Sequence, residues 1–64
     1  MSRQFNVFVI RPKKTALKYP AFEGEKALRL MQTMKERGFE TVAETTANSI
    51  TEQLNLTEMI ELFA

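Results

Sequence analysis

Phe5-Asn6-Val7-Phe8-Val9-Ile10 sets Phe5, Val7 and Val9 on one side of an extended chain and Phe8 and Ile10 on the other. β-Branched and aromatic residues at this density specify a strand, and two apolar faces place it near the middle of a sheet. Pro12, which has no backbone donor, stops it. A strand of this kind needs neighbours, and the rest of the chain must supply them.

Downstream, Arg11 to Tyr19 carries Arg11, Lys13, Lys14 and Lys18 without one acid, with Pro12 near its start and Pro20 just after its end, which reads as a basic loop. From about Glu23 to Arg37 the apolar residues Ala27, Leu28, Leu30, Met31 and Met34 recur at helical spacing, with Lys26, Arg29, Thr33 and Glu36 on the opposite side. Gly38 is placed to take the left-handed position after the helix. Lys35 and Arg37 fall in the last turn, and Phe39 can fold back on Met34. Phe39 to Thr46 then suits a second strand. If the two strands run parallel, the helix is a β-α-β crossover; an antiparallel pair is the other arrangement.

The last stretch has two readings up to residue 54. Ser49 with Glu52 has the spacing of a helix capping box; alternatively, 49–54 pairs with 41–46 as a hairpin turning at Ala47 and Asn48. Asn55 with Glu58 repeats the capping spacing, and the apolar phase changes there. Ile50 and Leu54 would face one side of a continuous helix and Leu56, Met59, Ile60 and Phe63 the other, so a break belongs at Asn55. The fold class expected is therefore a small single-domain α/β (α+β) protein over residues 1–64. It has a β-α-β core, a third short strand or helix, and a C-terminal helix.

The 64 residues contain no Cys, His, Trp or Asp, so all eight acids are Glu and neither a disulfide nor a zinc-type cluster can staple the fold. A chain this short buries only about 60% of its unfolded surface, which leaves very good packing or self-association to hold it. A homodimer covering the second face of the first strand is one expectation. The other is that Leu56, Met59, Ile60 and Phe63 fold back over that face. The longest apolar run, Val7 to Ile10, is far below a membrane span or a signal-peptide core, so no membrane association and a cytoplasmic location are expected.

The formal charge of +1 conceals two opposite halves: residues 1–37 hold nine cations and three acids, and residues 38–64 hold five acids and no cation. Either the halves neutralise each other inside the fold, or they form a basic and an acidic face for partners. Glu23 with Glu25 and Glu58 with Glu61 are the nearest carboxylate pairs, but a catalytic acid needs a dry pocket that this chain can scarcely build. A Ser or Thr nucleophile would lack a histidine base, and Gly24 and Gly38 are too sparse for a phosphate loop. The expectation is no enzyme, no cofactor and no metal. The function expected instead is that of a non-catalytic protein-interaction module that modulates or inhibits a larger protein partner. Candidate partner-binding residues are Arg11, Lys13, Lys14, Lys18 and Tyr19, with Met59 and Phe63 from the apolar C-terminal set. The alternative is a weak nucleic-acid-binding accessory protein using Arg11 to Lys18 against phosphates and Tyr19 against a base.

Overall fold

A computed structural model describes residues 3–64, with the side chain of Ala21 left aside. The elements are β1 (Gln4–Ile10), β2 (Leu17–Glu23), α1 (Gly24–Glu36), β3 (Glu40–Ala47), β4 (Ile50–Leu54) and α2 (Leu56–Phe63). The four strands form one sheet in the order β2-β1-β3-β4, and every neighbouring pair is antiparallel. This is the expected small α+β domain with β1 inside the sheet, and the short third strand of the sequence reading is β4.

One element differs from the sequence reading: the basic loop ends at Ala16, and Leu17–Glu23 forms β2. Its outer edge accepts what an inner strand would not. Pro20 costs no ladder bond at an edge, and the pairing shifts beside it, because Phe5 opposes Phe22 while Val7 opposes Tyr19. The extra residue of this bulge breaks the period-two alternation that otherwise marks a strand, with Leu17 and Tyr19 in phase on one side of the bulge and Phe22 on the other. Since β2 and β3 each run antiparallel to β1, they run parallel to each other, with β1 between them. The crossover helix therefore joins β2 to β3, and the strands expected to flank it, β1 and β3, are antiparallel neighbours.

The element order is a hairpin and a helix, twice: β1-β2-α1, then β3-β4-α2. Both helices lie on the face of β1 that carries Phe5, Val7 and Val9. α1 contributes Ala27, Leu28 and Met31 to the buried core, β3 contributes Ala43, β4 Leu54 and α2 Met59. Phe5 meets Phe63 edge to face at a centroid distance of 5.5 Å, which ties the first strand to the last helix. Buried Thr45 donates its hydroxyl to the Gln4 carbonyl at 2.9 Å, so the one buried polar side chain among the described residues is satisfied.

α1 ends as its sequence requires. The Gly38 N–H donates to the Lys35 carbonyl at 2.9 Å and the Phe39 N–H to the Met34 carbonyl at 3.0 Å, the paired bonds of a Schellman cap, with Gly38 at φ +88°. A Cβ on Gly38 would meet no atom within 4 Å, so the cost of a side chain there is backbone strain alone. Gly38→Val is expected to lower unfolding free energy by about 1–2 kcal/mol. An unchanged midpoint in urea would show that the cap tolerates a β-branched residue.

For residues 49–54 the structure selects the hairpin: Asn48 and Ser49 both take positive φ (52° and 65°) and Ala47 pairs with Ile50. The turn is one residue later than expected, and Ser49 caps no helix. Asn55 does. Its side chain accepts from the Glu58 N–H at 2.8 Å, and Glu58 Oε1 accepts from the Asn55 N–H at 3.0 Å.

Candidate interaction surfaces

With both helices on one side, the molecule is only two layers thick, 16 Å along its shortest axis. Among the described residues no helix lies on the second face of the sheet. C-terminal residues do not cover it, contrary to the fold-back expectation: Met59 is fully buried and Phe63 packs on Phe5, both on the helical side. Of the two C-terminal candidate partner-binding residues, Met59 lies wholly inside the core, while Phe63 is half-buried and packs against it. Of the remaining α2 apolar residues, Leu56 is half-buried, while Ile60 and Leu62 stay exposed.

Strand register defines the bare face. Phe8 pairs with Val42 and with Lys18, Ile10 with Glu40, Asn6 with Glu44, and Glu44 with Gln53. Phe8 and Val42 are half-buried, Ile10 is 43% exposed, and together with Ala16, Glu44 and Gln53 they line an open hollow of about 290 Å³. The Lys18 ammonium lies 6.0 Å from the Phe8 ring centroid, at the outer limit of a cation–π contact. The face thus has an apolar seam with a cation on its β2 side and carboxylates on its β3 side.

The basic segment is a formed turn. Arg11 donates a guanidinium N–H to the Thr15 carbonyl at 2.7 Å, the Lys14 N–H reaches the Arg11 carbonyl at 3.4 Å, and Lys13 has φ +58°. Arg11 is half-buried and closes the turn with its own side chain, leaving Lys13 and Lys14 as the exposed cations at the tip. Lys18 is set apart on the bare face of β2. Tyr19, its neighbour, alternates to the helical side, where it pairs with Val7 and packs on the core. The cation and aromatic ring grouped in the sequence reading are thereby separated by the pleat.

The two oppositely charged halves make little direct ion pairing among the described residues. The ion pair observed among the described residues is Arg3 with Glu52 at 3.7 Å, both half-exposed, a contact worth little in water. Neither Lys13 nor Lys14 is paired with an acid. β1-β2 supplies one edge of the sheet and β3-β4 the other, so the strands of the basic and acidic halves lie on opposite sides of the sheet, while α1, with Lys26, Arg29 and Lys35, packs across β3 and α2 of the acidic half.

Among the described residues no cluster of three or more potential metal-ligating side chains occurs, and no helix is long and apolar enough to cross a membrane. Comparison with protein-family models, curated proteins and solved structures finds no match for this chain.

Proposed function

We propose that this chain is a non-catalytic protein-interaction module that modulates or inhibits a larger protein, docking its basic turn on an acidic surface of that partner. The observation that carries the reading is the pinned turn, which presents Lys13 and Lys14 exposed and without acidic partners. Ordering the loop before binding reduces the entropy lost in the complex, and unpaired cations favour encounter with an acidic patch. The same cations would suit a nucleic-acid phosphate backbone. That alternative is less well supported, because Tyr19 lies on the helical side of β2, away from the cations that would hold the strand.

The test uses the intact chain as bait in lysate treated with nuclease, followed by affinity measurement on the captured partner. Lys13→Glu with Lys14→Glu is expected to weaken binding by about fivefold or more at low salt, from the loss of two charge-assisted contacts. Capture that disappears with nuclease would transfer the turn to the nucleic-acid reading. Unchanged affinity in the double variant would remove the turn from the site.

A further inference from the structure

We propose that the bare face of the sheet is the contact surface for a second copy of this chain. The two sheets pack face to face about a two-fold axis running along the strands. The inference uses a different surface from the basic turn and stands without it.

An edge-to-edge dimer is poorly provided for. The β2 edge carries Pro20 and a bulge, and the β4 edge is five residues long with Glu52 at its centre, devices that blunt strand addition. The face is different. Phe8 and Val42 sit opposite each other at its centre, with Ile10 next along β1, so apolar side chains form a seam across the two inner strands.

Charge supplies the choice of occupant. Lys18 lies on the β2 side of the seam, and Glu40 and Glu44 lie on the β3 side. A two-fold axis along the strands exchanges left and right across the sheet order β2-β1-β3-β4. It lays β1 of one copy over β3 of the other and β2 over β4. Phe8 then meets the second copy's Val42, and Lys18 comes within a side chain's reach of the second copy's carboxylates, twice by symmetry. A surface that is its own complement in this way is what an isologous interface requires.

Size sets the strength. Four strands about 4.8 Å apart and roughly 20 Å long give a face on the order of 400 Å², which puts the pair at the small end of specific interfaces and its dissociation constant in the micromolar range or weaker. A weak dimer still matters to a 64-residue domain without staples, since association adds to apparent stability by mass action.

Sedimentation equilibrium of the purified chain at low salt, from micromolar to millimolar concentration, reads the result. The mass should rise from 7.4 kDa toward twice that value. Lys18→Glu and Glu44→Lys should each weaken the dimer about tenfold, and the double exchange should restore it to within about threefold, because the pair is remade with its signs reversed. Ile10→Lys, on a side chain already 43% exposed, should abolish the dimer while the melting temperature at high dilution is kept. It carries the test alone if either charge variant fails to fold. A monomer at every concentration would overturn the proposal, as would a dimer indifferent to these substitutions. Lys13→Glu with Lys14→Glu should leave the dimer intact, so failure here and failure of the basic-turn reading are separate results.

Discussion

Phe5→Ala should cost about 3–5 kcal/mol of unfolding free energy, the range for removing a large aromatic side chain from a core that cannot collapse onto the space. Phe5 is fully buried in the inner strand and holds Phe63 edge-on, while the Arg3 guanidinium sits 5.5 Å from its ring centroid. The substitution therefore opens a cavity and also removes the main aromatic tie between β1 and α2. A domain of this length has a total stability of roughly 3–10 kcal/mol. The variant is expected to be largely unfolded at room temperature at the lower end of that range. Far-ultraviolet circular dichroism with urea titration gives the answer, and a loss below about 1 kcal/mol would mean that α2 does not pack on β1 as described.

Gly24→Ala is the second, and its sign is the informative part. Helix propensity alone makes alanine for glycine a gain, smaller at the first residue of α1 than the roughly 1 kcal/mol of a helix interior. Here the new Cβ would overlap the ring of Phe63, whose Cδ1 lies 2.7 Å from the position the Cβ would take. The ring cannot simply swing away, since its edge-to-face contact with Phe5 would be lost. A net loss of about 1–3 kcal/mol is expected. Combining Gly24→Ala with Phe63→Ala should cost at least about 1 kcal/mol less than the two single losses added, as removing the ring relieves the overlap. Strict additivity, or a stabilised Gly24→Ala, would place Phe63 away from the start of α1.

These two residues show how the helices share one face. Gly24 is the point where the first turn of α1 comes close enough to admit the Phe63 ring, and a spacing pattern within α1 carries no sign of that approach. The approach also explains why α2 lies beside α1. Its apolar residues Met59 and Phe63 complete a core already begun by Phe5, Val7, Val9 and Met31. The consequence for the surface is direct. Phe8, Ile10 and Val42 keep their exposure because both helices among the described residues lie on the other face.

The sequence alone determined the features whose causes are local. Alternation in Phe5 to Ile10 specified β1 and its two apolar faces. Spacing from Ala27 to Met34 with Gly38 specified α1 and its cap, and Asn55 with Glu58 specified the start of α2. Each depends on residues a few positions apart, so each is visible in a linear pattern. Tertiary structure alone decided that Leu17–Glu23 is a strand, because an edge position is what makes Pro20 and a bulge acceptable. It also decided that residues 50–54 pair with β3, where Leu54 gains a buried place opposite Ala43. For the candidate surface, the cations of Arg11, Lys13, Lys14 and Lys18 were legible as a group. Their division was not, because it arises from the pleat: Lys18 goes to the bare face, Tyr19 to the core, and Lys13 and Lys14 to the tip of a turn. Which face of β1 the helices would cover depended on long-range packing, since one inner strand offers two apolar faces and the two helices can bury only one.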